Sequence, residues 1–332
     1  QTDGEAFLAL LQTGGITYAE VDRLGAYRSD DSALDYHVQR ILALPNVEVE
    51  LVKKRRFRVV VDAVNSTGAI AMPAILEAMG CEVFLLNGEV NGRFSHNPEP
   101  LPEHLGGLSE AVRNLAADLG IAVDPDVDRL ALVCEDGSFF GEEYTLVAVA
   151  DYILGRRVGN TVSNLSSSRA LRDVTQQHGG QYFAAAVGEV NVVQKMKAVQ
   201  AVIGGEGNGG IIVPELHYGR DAMAGAALFL SHLALSGNSA AQLRRRYPNY
   251  FMIKDKITLQ PDTDMNALLS RLHDQFRHES CDVSDGLKID FADGWVHLRR
   301  SNTEPIIRIY AESFSEQRAQ ELAERMKSLA LN

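Results

Sequence analysis

Beyond Phe57 the apolar positions fall into short runs separated by longer stretches of helical spacing, the alternation of an α/β protein. RVVVDAV (58–64) reads as a buried strand, NSTG (65–68) as a turn, AIAMPAILEAMG as a helix ending at Gly80, and CEVFLL as a second strand. This is a β-α-β unit. GLSEAVRNLAA then predicts a helix, LGIAVDP a strand and RLALVCEDGSFF a hairpin turning at Asp136-Gly137, before helix YTLVAVADYIL closes the block. The next block repeats the logic with strands NTVSNL, QYFAAAV and QAVIGGE and helices SSRALRDVTQQHG, NVVQKMKAV and AMAGAALFLSHLAL. Tyr247-Pro248-Asn249 marks a further boundary. After it, strands KDKITL, LKIDFAD, WVHLRR and IIRIYAES accompany helices MNALLSRLHDQF and EQRAQELAERMKSLA. The expected fold class is a multidomain α/β chain: two mixed-sheet α/β domains, 57–157 and 158–250, then a small α+β domain over 251–332. Residues 1–56 carry helical spacing at Glu5–Leu11 and Asp35–Leu44 without a strand signal and read as a tail of something preceding them.

Composition narrows the partners. The chain has 332 residues, 32 Lys plus Arg against 44 Asp plus Glu, and a net charge of −12, which argues against nucleic acid. Its longest apolar runs, such as Ala224 to Leu230, stop far short of a bilayer span, so no membrane association is expected. Cys81, Cys134 and Cys281 are widely spaced and odd in number, which fits buried reduced thiols and a cytoplasmic location better than a disulfide framework or zinc site. The opening Gln1-Thr2-Asp3-Gly4 has neither an initiator Met nor a secretion signal, and reads as a cut with more chain upstream.

Three loops carry candidate chemistry. Asp124-Pro125-Asp126-Val127-Asp128-Arg129 follows a strand, and three carboxylates at alternate positions can converge on one hard cation such as Mg²⁺, with Arg129 beside a phosphate. An EF-hand would also place ligands at these aspartates and at Glu135, but its sharp turn requires Gly where Arg129 stands, and the flanks are strand-like. A solvated acidic loop is the plainer alternative, but three carboxylates crowded without a counter-ion repel one another. Gly204-Gly205-Glu206-Gly207-Asn208-Gly209-Gly210 lets backbone approach a ligand closely, with Glu206 and Asn208 suited to sugar hydroxyls; a flexible turn would look similar. Arg299-Arg300-Ser301-Asn302-Thr303-Glu304-Pro305 and Arg308 offer the guanidiniums, hydroxyls and amide that hold a phosphate, against the alternative of a polar hairpin. His217, Arg220 and Asp221 could line a sugar site, and Lys53–Arg56 and Arg244–Arg246 read as solvated faces.

Taken in this order, the three loops resemble those of the α-D-phosphohexomutase superfamily, in its phosphoglucosamine mutase and phosphomannomutase/phosphoglucomutase branches, from about Phe57 to the C-terminus. The resemblance implies Asp124, Asp126 and Asp128 as Mg²⁺ ligands and Arg129 as a catalytic neighbour of a phosphoserine. It implies Glu206 and Asn208 on the sugar, and Arg299, Ser301, Asn302 and Thr303 on phosphate. It further implies interconversion of hexose 6-phosphate and hexose 1-phosphate through a 1,6-bisphosphate, with hexose 1,6-bisphosphate as activator and a small phosphosugar as partner. Phosphoglucosamine mutase is the foremost reading, beside phosphomannomutase/phosphoglucomutase, a non-catalytic sugar-phosphate-binding fragment, and a phosphatase using Asp124 as nucleophile.

The departures from the family pattern are specific. The serine-bearing first domain finds no counterpart beyond the tail, so these residues alone are expected to be inactive. Ser95-His96-Asn97-Pro98 imitates the serine motif but belongs to the second domain's own His-Asn-Pro-Glu-Pro segment. Ala185 replaces a usual Thr, Asn208 a Ser and Gly210 a His.

Overall fold

The computed structural model describes residues 2–14, 17–258, 264–300 and 306–331. Residues up to Tyr36 form a small unit of their own, holding helix α1 (Thr2–Gln12) and the start of α2 (Ala33–Leu42). The second unit runs from His37 to the C-terminus. It begins with the rest of α2 and with α3 (Val49–Arg55), which packs on a later helix and buries Val52. Part of the segment read as a tail therefore contributes apolar side chains to this unit, Val38 and Ile41 among them.

The first sheet has strand order β2-β1-β3-β4, built from β1 (Arg58–Asp62), β2 (Glu82–Leu86), β3 (Leu119–Val123) and β4 (Leu130–Cys134), with α4 (Gly68–Ala78) and α5 (Gly106–Asn114) as crossovers. β1 to β3 are parallel and β4 is antiparallel to β3. Period-2 alternation turns Val60, Ala122, Ala131 and Val133 onto Leu108 and Val112 of α5. The expected hairpin at Asp136-Gly137 exists with a short return arm on the free edge of β4: Phe139 bridges Val133, Cys134 N donates to Ser138 O at 2.8 Å, and Phe140 N donates to Leu132 O at 2.9 Å.

Helix α6 (Glu142–Arg156) leads to the second sheet, order β6-β5-β7-β8, from β5 (Thr161–Asn164), α7 (Ala170–Gln177), β6 (Tyr182–Ala185), α8 (Glu189–Val199), β7 (Ile203–Glu206) and β8 (Gly210–Ile212). Val192 and Met196 of α8 pack on Val162 and Ile212. α9 (Ala222–Ser236) is apolar all round and is buried from Ala222 to Leu233, as such a pattern requires. α10 (Ala240–Arg244) follows with a capping box from Ser239.

The third sheet is wholly antiparallel, order β10-β11-β12-β13-β9, comprising β9 (Phe251–Thr258), β10 (Ser280–Asp282), β11 (Leu287–Phe291), β12 (Gly294–Arg300) and β13 (Ile306–Ser313). Helices α11 (Met265–Gln275) and α12 (Glu316–Leu331) cover it through Leu268, Leu272, Leu322 and Met326. Two mixed-sheet α/β domains followed by a small α+β domain is thus the observed architecture. No described helix is long and apolar enough to cross a membrane. All three cysteines are unpaired, and burial pushes the Cys81 and Cys134 thiols up to about 12 and about 11.

The first two sheets are stitched edge to edge. Leu130 N donates to Gly209 O at 3.1 Å, and Arg129 bridges Gly210. Gly209 has a φ of +87°, and a Cβ there would collide with the Leu130 carbonyl. Gly209→Ala should therefore cost about 1–3 kcal/mol, read as a lower Tm in thermal melts, and an unchanged Tm would contradict this stitch.

Candidate functional site

Asp124 ends β3 buried, and its Oδ1 accepts from the backbone N–H groups of Asp128 and Arg129 at 3.0 and 2.9 Å. That bonding curls the loop through Val127, which sits at a φ of +62°. The curl brings a carboxylate oxygen of each of Asp124, Asp126 and Asp128 within 4.8 Å of the others. Asp128 Oδ1 is buried with no hydrogen-bond partner, and burial together with the Asp124 carboxyl pushes Asp128 up to about 7. A crowded oxygen donor set with an orphaned oxygen and a costly negative charge fits a divalent hard cation such as Mg²⁺. Arg129 reaches Glu99 at 3.3 Å, while its buried Nε has no partner within hydrogen-bond range.

Glu206, at the end of β7, is buried and almost saturated. Oε1 accepts from Asn164 Nδ2 at 2.9 Å and Gly188 N at 3.2 Å, and Oε2 from Arg220 Nη1 at 3.1 Å. Of roughly four acceptor positions on a carboxylate, one on Oε2 is left over. Asn208 turns its Oδ1 back to Gly210 N at 3.2 Å, leaving the amide NH₂. Arg220 is the hub: it also pairs with Glu189 Oε2 at 3.2 Å and with Asp128. A Cβ on Gly210 would stand 2.5 Å from Arg220 Cδ, so glycine here leaves room for this side chain.

Arg299 and Arg308 are direct cross-strand partners at the end of β12 and β13 where the chain connects the two strands. Two guanidiniums in opposed register repel unless an anion lies between or beside them. Arg299 Nε is held by Asp285 Oδ2 at 3.0 Å, and the same oxygen accepts from Val187 N at 2.9 Å. Ser301, Asn302 and Thr303 lie outside the described residues.

A cavity of about 260 Å³ is lined by Arg129, Glu206, Asn208, Arg299 and Arg308 together. The fold thus brings one contribution from each of the three loops to one space, although the aspartates themselves do not line it. Residues that sequence reasoning left out also line it, namely Glu142, Glu143, Asn164, Ser166, Lys254 and Tyr310. The polar residues from Ser163 to Ser168, broken only by Leu165 and beginning inside β5, were the available signal for Asn164 and Ser166. Lys254 and Glu142 meet only through tertiary packing, and no local pattern announces them. Ser166 Oγ donates to His297 Nδ1 at 2.9 Å, a direction set by His297 Nε2–H giving its proton to the Asp285 carbonyl at 2.7 Å. Burial lowers His297 to about 4, so this imidazole is neutral at physiological pH. Ser95 is not on the cavity wall, whereas its neighbour Glu99 is.

The family follows from this arrangement. The fold and the cavity define a multidomain α/β protein with one arginine-rimmed cavity shared by its three loops. The chain belongs to the phosphoglucomutase/phosphomannomutase family: models of its alpha/beta/alpha domain II, alpha/beta/alpha domain III and C-terminal domain match residues 35–137, 141–250 and 253–329. A phosphoglucomutase/phosphomannomutase of Thermococcus kodakarensis is 36% identical over 92% of this chain and 67% of its own length. A probable phosphoglucosamine mutase of Methanopyrus kandleri is 35% identical over 97% and 72%. A phosphoglucomutase/phosphomannomutase family protein of Burkholderia thailandensis superposes with a TM-score of 0.84 at 25% identity, covering 99% of this chain and 70% of that one. The fold is also that of an Aspergillus fumigatus N-acetylphosphoglucosamine mutase solved with GlcNAc-6P and magnesium, at a TM-score of 0.62 and 14% identity over 91% of this chain and 66% of that one.

One cation faces two carboxylates on the cavity wall. Lys254 bonds Glu142 directly and stands 3.9 Å from Glu143. Burial pushes Glu143 up to about 8, so at neutral pH it holds a proton beside the Lys254 ammonium. Because the folded value lies above the ordinary one of 4.5, the folded state binds the extra proton between these pH values. Stability therefore falls as pH rises from about 5 to about 8, by at most about 1.4 kcal/mol per unit. Glu143→Gln should flatten this alkaline loss in Tm-versus-pH curves, and identical slopes would refute the assignment.

Proposed function

We propose that this chain supplies the metal, sugar and phosphate loops of a phosphohexomutase that interconverts hexose 6-phosphate and hexose 1-phosphate. The observation that carries the reading is the single cavity walled by Arg129, Glu206, Asn208, Arg299 and Arg308. A phosphoserine from residues outside these 332 gives its phosphoryl group to the free hydroxyl of the sugar phosphate. The serine P–O bond breaks, the new sugar P–O bond forms, and the sugar hydroxyl's proton ends on the serine oxygen that leaves phosphorus. The resulting 1,6-bisphosphate reorients and returns its other phosphoryl group to the serine, and the same bisphosphate serves as activator. Glucosamine phosphate is the proposed substrate, with mannose or glucose phosphate as the alternative.

Asp124, Asp126 and Asp128 would hold Mg²⁺, whose charge neutralises the transferring phosphoryl group. Arg129, on the cavity wall with its Nε 3.6 Å from Asp124 Oδ2, would meet the same group. Glu206 and the Asn208 amide orient the ring through its hydroxyls. Arg299 and Arg308, with Ser301, Asn302 and Thr303, grip the phosphate that is not transferring, and holding that end fixes the distance of the reacting hydroxyl. Transfer of this kind is mainly positioning plus electrostatics, which is what the three loops offer.

On this reading Arg299→Ala weakens binding of a hexose 6-phosphate about 10- to 100-fold, the worth of a charge-assisted bidentate contact, while Mg²⁺ affinity stays unchanged. Asp126→Asn does the reverse. Isothermal titration of both ligands against both variants separates them, and equal losses in one variant would remove the division of roles. In the protein extended upstream, isomerisation of glucosamine, mannose or glucose phosphate with Mg²⁺ and bisphosphate supports the mutase. Binding without isomerisation supports a sugar-phosphate-binding protein, and release of inorganic phosphate supports a phosphatase.

A further inference from the structure

Away from the phosphosugar cavity, His37 on α2 and His217 in the loop before α9 both turn their Nε2 atoms to one oxygen, Asp221 Oδ2, at 2.8 and 3.0 Å. The two rings lie 5.7 Å apart, centre to centre, tilted by 39°. Asp221 is buried, and its other oxygen caps α9 by accepting from Ala224 N at 2.9 Å. That bond fixes the carboxylate and leaves Oδ2 aimed at the histidines. We propose that His37, His217 and Asp221 form a second cation site, distinct from the aspartate loop, that takes Zn²⁺ or a similar borderline transition metal.

The donor chemistry carries the assignment. Two imidazole nitrogens and one carboxylate oxygen, all within 4.8 Å of one another, are the ligand set that selects zinc over magnesium. A tetrahedron with bonds of about 2.0–2.2 Å places its donors about 3.4 Å apart. The two His–Asp spacings, 2.8 and 3.0 Å, are a few tenths of an ångström shorter, and side chains that keep 32% and 41% of their surface exposed can swing by that amount. The same exposure leaves the fourth position to water. The positive end of α9 opposes a cation here, and the capping carboxylate offsets it. The adjacent Arg220 points away, toward Asp128, Glu189 and Glu206. A bound metal would clip α2 to the loop that carries Arg220 and so stiffen the hub of the phosphosugar site without touching the sugar.

The test uses the whole chain, stripped with EDTA and titrated with Zn²⁺ in excess Mg²⁺ so that the aspartate loop is occupied. One equivalent of Zn²⁺ should bind, with affinity lowered at least tenfold in His37→Asn and in His217→Asn and unchanged in Asp126→Asn. Co²⁺ added to the unaltered protein should give the visible band of a tetrahedral site. Zn²⁺ should also shield His37 and His217 from diethylpyrocarbonate, read by mass spectrometry on the unaltered chain, which needs no variant to fold. No stoichiometric binding, a loss in Asp126→Asn instead, an octahedral cobalt spectrum, or equal modification with and without Zn²⁺ would each overturn the site.

Discussion

The arrangement depends on one guanidinium. Arg220 joins Asp128 of the aspartate loop, Glu206 of the glycine-rich loop and Glu189 at the start of α8, and its side chain is only 16% exposed. Three carboxylates so close to one another repel, and a buried carboxylate left unpaired costs about 3–5 kcal/mol. With Arg220 between them, loops from two different sheets are held at fixed separation. The path of this side chain explains two local features. Gly210 has no Cβ because Arg220 Cδ passes there, and Asp221 next in sequence starts α9 by capping it.

The edge-to-edge stitch between Leu130 and Gly209 sets the same geometry through backbone, so the charge network does not act alone. The third domain is fixed to the second by a comparable device. Arg169 donates to Asp290 Oδ1 and to the carbonyls of Phe291 and Gly294, and its backbone N–H gives to Glu312, which also takes the Trp295 indole N–H. Lys288 spends its charge on the Leu165 carbonyl at 2.8 Å and on the face of Trp295. These contacts position β12 and β13, and with them Arg299 and Arg308, over the loops of the preceding sheet.

Strongly apolar or strongly periodic segments were legible in the sequence. The VVV core of β1, the all-apolar α9 and the heptad-like α12 announce themselves, because burial imposes a period that survives any context. β8 was not legible: Gly210–Ile212 is too short for a period, and it exists because Gly209 and Gly205 let it close on β7. β10 is likewise an edge strand made by its neighbour β11. Of the site, the three loops were readable, since carboxylate spacing, glycine density and a serine–asparagine–threonine run between arginines are local. The roles of Arg220 and Lys254 were not, because each acts on residues far away in the chain. The sequence marks Glu206 as suited to sugar hydroxyls but does not show that three of its acceptor positions are taken by Asn164, Gly188 and Arg220.

The central claim is that one cavity receives a phosphosugar with its phosphate on the third sheet and its ring on the second. A crystal structure of the chain with a hexose 6-phosphate and Mg²⁺ tests this most directly. The account predicts phosphate oxygens on Arg299 and Arg308, ring hydroxyls within hydrogen-bond distance of Glu206 Oε2 and the Asn208 amide, and a metal among Asp124, Asp126 and Asp128. A sugar phosphate bound outside this cavity, or inside it with its phosphate away from both arginines, would contradict the account.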